Sequence, residues 1–199
     1  MGNSITGVIL AGGSNKRFGG ITKANLQVGG KSVIARILDA IDQIFDEILI
    51  VTNTPKEFQY YSGCRIISDR IMNIGPLGGI HAALKSVSEG AVFVFAGDMP
   101  FPDVNIIYRI IDYYKEGHYP VIVPAVKNYI EPLLAIYSVS VLADLEIFLS
   151  EESNYSVRCF LNRMKVCYVE LDDSPETYVA LTNINNPADL KLLNTWGSE

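Results

Sequence analysis

Short, near-continuously apolar runs alternate along the chain with stretches whose apolar positions recur every three or four residues. Gly7-Val8-Ile9-Leu10, Glu47 to Thr52 and Ala91 to Ala96 have the pattern of strands buried on both faces. Arg65 to Ser68 predicts a shorter strand, and Pro120 to Ala125, Leu133 to Ser138 and Lys165 to Leu171 predict three more. Between them, Ser32 to Phe45 sets Val33, Ile34, Ile37, Leu38, Ile41, Ile44 and Phe45 at helical spacing. Gly75-Pro76-Leu77-Gly78-Gly79 punctuates the chain before a small-residue helix through His81, Ala82, Ala83 and Leu84. Pro102 to Lys115 predicts a helix with proline in its first turn. Val139 to Leu149 and Ser156 to Met164 predict two more, and Ala188 to Thr195 a last one with Asn186 as N-cap. The alternation predicts an α/β fold with a mostly parallel central sheet and helices on both faces. No linker, repeat or low-complexity tract interrupts it, so residues 1–199 are expected to form one domain.

That topology directs attention to particular loops, because open parallel sheets bind ligands beyond the carboxyl ends of their strands. Residues 11 to 23, 52 to 54 and 97 to 99 are polar or glycine-rich clusters at such ends, and Asp69 follows a fourth strand. The first cluster holds Gly12, Gly13, Gly19 and Gly20 together with Lys16, Arg17 and Lys23. Glycines let backbone approach a ligand, and successive N–H groups can cradle an anion. Arg17 can fork onto phosphate oxygens, while Lys16 and Lys23 act as point charges. The spacing fits neither G-x-x-x-x-G-K-[ST] nor G-x-G-x-x-G, which sets aside the P-loop and dinucleotide readings.

Asp98 follows the most apolar strand, between Gly97 and Pro100 two residues on. A carboxylate fixed there, opposite a phosphate loop, suits Mg²⁺ shared with substrate phosphates. Its structural alternative is a carboxylate at the start of the next helix. Asn53 and Thr54 offer donors and acceptors to a base edge, or simply form a turn before Pro55. Asp69 is a ligand contact or a partner for Arg70, and Gly75 to Gly79 a close approach to ligand or a helix-start turn.

Composition narrows the field. The formal net charge of -6 argues against general nucleic-acid binding. No apolar run nears the roughly 20 residues that span a bilayer, and no signal-peptide pattern opens the chain. A soluble, cytoplasmic protein is expected. Cys64, Cys159 and Cys167 form no C-x-x-C pair and are expected to be buried structural thiols. With only His81 and His118, a histidine-based metal site or triad has little material.

The run Leu10-Ala11-Gly12-Gly13 with Arg17, Gly19, Gly20 and Lys23 resembles the signature loop of the sugar-nucleotidyltransferase-like families. Gly75 to Gly79, Ala96-Gly97-Asp98-Met99-Pro100-Phe101, Glu131 to Tyr137 and Thr182 to Leu190 resemble, in order, the motifs of one branch, the MobA-like molybdenum cofactor guanylyltransferases. The resemblance spans the chain. It implies a three-layer Rossmann-like nucleotidyltransferase fold and a reaction in which GTP and molybdopterin give the guanine dinucleotide cofactor and pyrophosphate. It further implies that Leu10, Ala11, Gly12 and Gly13 meet the guanine and ribose. Arg17 and Lys23 would neutralise the phosphates, and Asp98 would hold Mg²⁺. Asn53 and Asp69 would contact the nucleoside, with Gly78 packed closely on it. Asn183 and Asn185 would face the phosphate and pterin side. Molybdoenzyme apoproteins and other cofactor-biosynthesis proteins are the implied partners.

Two positions depart from the family pattern. Thr22 stands where an Asp usually precedes the loop lysine, and Ser153-Asn154-Tyr155 replaces a usual Gly and Arg. Arg158, Arg163 and Lys127 are the cations available to stand in for that Arg. Three other classes compete with this reading. A relative using CTP or another acceptor tends to carry Asp-Gln-Pro where this chain has Asp98-Met99-Pro100. A non-catalytic GTP-binding scaffold would not need Lys23, Arg17 and Asp98 together. An NAD-dependent oxidoreductase would need the missing glycine fingerprint.

Overall fold

A computed structural model describes residues 4–12 and 18–196. The strands are β1 (Ile5–Leu10), β2 (Gln27–Val28), β3 (Lys31–Ser32), β4 (Ile48–Val51), β5 (Arg65–Ile67), β6 (Ala91–Ala96), β7 (Val121–Val126), β8 (Tyr129–Ile130), β9 (Leu134–Ser138) and β10 (Val166–Glu170). The helices are α1 (Val33–Ile41), α2 (Pro76–Leu84), α3 (Val104–Lys115), α4 (Leu142–Glu151), α5 (Val157–Leu161), α6 (Pro175–Ala180) and α7 (Pro187–Trp196). The main sheet runs β10-β7-β9-β6-β1-β4-β5, with β8 paired to β7. It is mostly parallel, as expected; β9 runs antiparallel to both β6 and β7.

Both faces of the sheet are buried, which is why its strands read as unbroken apolar runs. Ile9, Phe93 and Phe95 point into one core with Ile37 and Ile41 of α1 and Ile107 and Ile110 of α3. Val8, Val92 and Val94 point into the other, with Leu77 and Ile80 of α2, Leu145 of α4 and Phe160 of α5. Helix, sheet and helix make three layers. Among the described residues no helix is long and apolar enough to cross a membrane.

Strand register places the loops. Leu10 pairs with Ala96 on one side and Val51 on the other, and Val51 pairs with Ile67. The carboxyl ends of β6, β1, β4 and β5 therefore stand side by side, and the four loops after them are neighbours.

Several helix limits differ from the periodicity. The α1 pattern predicts a helix to Phe45, but the helix ends at Ile41 and a turn comes next. Apolar spacing persists there because Phe45 still packs on Phe93 and Phe95. Helix α3 starts at Val104, not Pro102, because the Asp103 carboxylate accepts the Asn105 and Ile106 N–H groups and sets the N-cap. The Gly75 to Gly79 stretch is not all turn: Pro76 opens α2, so Gly78 and Gly79 are helical. A 3₁₀ turn over Val139–Val141 precedes α4, which extends to Glu151. Helix α5 is shorter than Ser156 to Met164. The β2–β3 hairpin, β8 and α6 have no counterpart in the sequence pattern. Asn186 does cap α7, its side chain accepting from the Ala188 and Asp189 N–H groups. The three cysteines are unpaired and half-buried rather than fully buried.

Candidate active site

The four neighbouring loops enclose a cleft of about 580 Å³. Leu10, Ala11, Gly12, Lys23, Asn53, Asp69 and Asp98 all line it. Gly13, Lys16 and Arg17 lie outside the described residues.

The floor depends on Gly97. Its N–H bonds to the Leu10 carbonyl at 3.0 Å, which locks the loop after β6 onto the end of β1. A Cβ at Gly97 would stand 2.6 Å from that carbonyl oxygen and 3.2 Å from the Ala24 Cβ. No larger residue fits without moving Asp98, the next in the chain. Gly12 is the opposite case. Among the described residues a Cβ there meets nothing within 4 Å, and Gly12 lines the cleft.

Asp98 is held from two directions. Lys23 Nζ donates to its Oδ2 at 2.8 Å, with the two side chains 27 % and 21 % exposed. Its backbone carbonyl accepts the Ile184 N–H at 2.9 Å. Its Oδ1 has no partner among the described residues, which leaves one oxygen of a cleft-lining carboxylate uncommitted. Among those residues no three His, Cys, Asp or Glu side chains cluster as a metal cage. A single free carboxylate oxygen at the edge of this cleft nonetheless fits Mg²⁺, which is held by one or two carboxylates plus substrate phosphates and water.

Lys23 begins a 3₁₀ turn, Lys23–Asn25, whose N-cap residue is Thr22. Thr22 is 2 % exposed and lines the cleft. At the place where the family pattern carries an acid, this chain has a buried neutral hydroxyl. Asp98 is the ion-pair partner of Lys23 among the described residues.

Across the cleft, Asn53 and Asp69 interlock. Asn53 Nδ2 donates to Asp69 Oδ2 at 3.0 Å, and the Asp69 N–H donates to Asn53 Oδ1 at 3.3 Å. Asp69 is thus fixed by Asn53 from the adjoining strand end. Gly79, rather than Gly78, faces the cleft. A Cβ on Gly79 would lie 2.8 Å from Leu10 Cδ2. Gly78 is outside the lining, and its missing side chain serves protein packing, since a Cβ would stand 2.8 Å from the Ile71 carbonyl oxygen. The glycine-rich stretch signals a close approach; which glycine makes it depends on the helical phase of α2.

Neither Asn183 nor Asn185 lines this cleft: Asn185 reaches it through one hydrogen bond to Lys23, and the Asn183 amide bonds to Glu131 and Leu181, outside the lining. Lys23 Nζ donates to Asn185 Oδ1 at 3.5 Å. Asp189 Oδ2 accepts the Asn185 and Asn186 N–H groups at 2.8 and 3.0 Å, chiefly through which its carboxyl is held below its ordinary range. Asn183 Nδ2 donates to Glu131 Oε2 at 3.3 Å. Glu131, buried and polar, carries no signal in the sequence beyond its place in a motif. Of the three stand-in cations, Lys127 is paired with Asp173 at 2.5 Å and Arg163 with Glu151 and Glu152. Arg158 forms no ion pair among the described residues and donates to the Ile130 carbonyl at 3.0 Å, next to Glu131. Asn154 is engaged locally, accepting the Ser156 N–H at the start of α5.

Residues 7–166 match the MobA-like NTP transferase domain. The chain belongs to that family. It is 33 % identical to a probable molybdenum cofactor guanylyltransferase of Natranaerobius thermophilus, across 96 % of this chain and 95 % of that one. A protein of the same name from Pyrococcus furiosus is 35 % identical, with 98 % and 99 % covered. Among solved structures, molybdopterin-guanine dinucleotide biosynthesis protein A from Archaeoglobus fulgidus superposes with a TM-score of 0.81 at 27 % identity, over 97 % of this chain and 98 % of that one. The MobA-like member described here is therefore a nucleotidyltransferase, with the three-layer fold of that class.

Proposed function

We propose that the protein transfers GMP from GTP to molybdopterin, releasing pyrophosphate and forming the guanine dinucleotide cofactor. The observation that carries this is the Lys23–Asp98 contact at 2.8 Å in a cleft that also holds the Asn53–Asp69 pair. One end offers a cation and a carboxylate with a free oxygen, for phosphates and metal. The other offers amide and carboxylate groups, for a nucleoside. The guanylyltransferase names of full-length relatives support the choice of base and acceptor.

In this reading a terminal phosphate oxygen of the pterin attacks the α-phosphorus of GTP. A new P–O bond forms, the bond between the α-phosphorus and the bridging oxygen breaks, and pyrophosphate leaves. Such a transfer needs positioning and charge neutralisation more than a covalent nucleophile. Lys23 balances charge on the phosphates, with Arg17 proposed beside it from the same loop. Asp98 would hold Mg²⁺, which supplies Lewis-acid neutralisation of the phosphate oxygens when bound. Leu10, Ala11, Gly12 and Gly13 carry the guanine and ribose side, Asn53 and Asp69 the nucleoside. Asn183, Asn185 and Arg158 are proposed to face the pterin. The product would pass to molybdoenzyme apoproteins.

Incubation with Mg²⁺, molybdopterin and each of GTP, CTP, ATP and UTP tests this. Pyrophosphate and a dinucleotide from GTP alone are expected. Turnover with CTP instead would move the assignment to a cytidylyltransferase. Tight GTP binding without product would make the protein a scaffold.

A further inference from the structure

Glu131 is a carboxylate only 6 % exposed, and the transfer chemistry does not use it. It sits between β8 and β9. Its Oε1 accepts the Leu133 N–H at 3.1 Å, and its Oε2 accepts from the Tyr129 hydroxyl and from Asn183 Nδ2. Burial, then the hydrogen bond and charge of Glu131, push the Tyr129 hydroxyl far above its ordinary range, so it remains a donor at neutral pH. A buried carboxylate is costly unless donors surround it. Here three donors converge from the strand, the turn after Glu131 and the 182–186 loop.

The geometry of Asn183 is set by its neighbours' chemistry. Its Nδ2 donates to Glu131 Oε2 at 3.3 Å and to the Leu181 carbonyl at 3.4 Å. A carboxylate and a carbonyl can only accept. The amide nitrogen must therefore face them, and the amide oxygen takes the other side. That oxygen has no donor among the described residues. The next residue, Ile184, is bonded to the Asp98 carbonyl, so this amide sits beside the backbone that carries the catalytic carboxylate.

We propose that Glu131 is a positioning residue for the second substrate: it fixes the Asn183 amide so that the oxygen, not the nitrogen, meets that substrate. The group read there is then a hydrogen-bond donor, such as a ring or exocyclic N–H of a pterin, and not a phosphate oxygen. This rests on the acceptor being a phosphorylated pterin, as proposed above. Glu131→Gln is nearly isosteric but adds an N–H₂. The Leu133 N–H keeps the amide oxygen at the Oε1 place, so the new N–H₂ takes the Oε2 place; the Tyr129 hydroxyl turns to accept one of its hydrogens, the other meets Asn183, and that amide flips to offer its nitrogen to the ligand.

The test is steady-state pyrophosphate release by the full chain, with molybdopterin and GTP varied separately, for wild type, E131Q, N183A and E131Q/N183A. The acceptor KM should rise about 10-fold or more in E131Q, the effect of leaving one buried polar group mispaired. The GTP KM should stay within about twofold. The double variant should be no worse than N183A, because two residues that act through one contact are not additive. Additive losses, an equal rise in the GTP KM, or an unchanged acceptor KM in E131Q would overturn the proposal. Where E131Q does not fold, N183D decides. It keeps the acceptor oxygen but sets a second carboxylate against Glu131, so its acceptor KM should rise at least as far as that of N183A. An N183D with the wild-type acceptor KM would overturn the proposal. Absence of turnover in the wild type would instead strike down the guanylyl-transfer reading, and this inference with it.

Discussion

The two halves of the site are built by different means. The half proposed for the nucleotide is a row of parallel strand ends. Leu10, Ala96, Val51 and Ile67 stand in register, and each loop inherits its place from a backbone ladder. The half proposed for the pterin lies where the antiparallel β9, the β8 turn and the 182–186 loop meet. It is held by side chains, chiefly Glu131, Tyr129, Asn183 and Asp189. Backbone register is insensitive to single substitutions, whereas a side-chain network is only as good as each of its members. The first half should therefore fail through its chemistry and the second through its geometry.

The largest effect should come from Asp98→Ala. Loss of the oxygen proposed to hold Mg²⁺ and of the Lys23 partner should cut pyrophosphate release in Mg²⁺ by about 10³-fold or more. The thermal midpoint should change little, because the carboxylate is partly exposed. A variant with normal turnover would remove Asp98 from the mechanism. Next, Lys23→Ala should lower kcat by about 10²- to 10³-fold, as for loss of one preorganised charge-stabilising group. Its effect should overlap with that of Asp98→Ala in a double variant, since the two are in contact.

Gly97→Ala should reverse that signature and break the fold as well as the chemistry. With 2.6 Å between the new Cβ and the Leu10 carbonyl oxygen, urea titration should show a loss of about 1–3 kcal/mol. Wild-type stability would show that the loop yields freely. Asn53→Ala should be milder. Removing its bonds to Asp69 should cost about 1 kcal/mol, read as a roughly fivefold rise in the GTP KM with the acceptor KM unchanged. A shift in the acceptor KM instead would reverse the assignment of the two halves.

The smallest effect concerns pH. The Asn185 N–H, foremost, holds the Asp189 carboxyl below its ordinary value of 3.8. Its folded value is depressed, so its stabilising contribution is present above 3.8 and fades as pH falls through the lower, folded value. The difference in thermal midpoint between wild type and Asp189→Asn should thus be constant near neutrality and shrink below about pH 4. A difference that grew on acidification would contradict the assignment.

The same contrast explains what is legible in the sequence. Strands buried on both faces announce themselves as unbroken apolar runs, and the polar residues just after them mark the cleft. Lys23, Asn53, Asp69 and Asp98 are readable for that reason, and all line one cavity. Gly79 is harder to distinguish from Gly78, because the choice depends on where Pro76 starts α2. Glu131 and Asn183 are 52 residues apart, and neither sits in a composition that signals burial. Their contact is a tertiary fact. Helix α6 has six residues, too few for a periodic pattern, although Ser174 caps it and Pro175 opens it. Thr22 shows the converse: its departure from the family pattern is plain in the sequence, but its burial is not.

The central claim is that the α-phosphorus of GTP is the centre attacked. Parallel reactions with molybdopterin, Mg²⁺ and GTP labelled at the α- or the γ-phosphate test it most directly. The α-label should appear in the dinucleotide and the γ-label in pyrophosphate, with both signals lost in Asp98→Ala. Transfer of the γ-label to the pterin, or an α-label that remains in free nucleotide while the pterin is consumed, would contradict it.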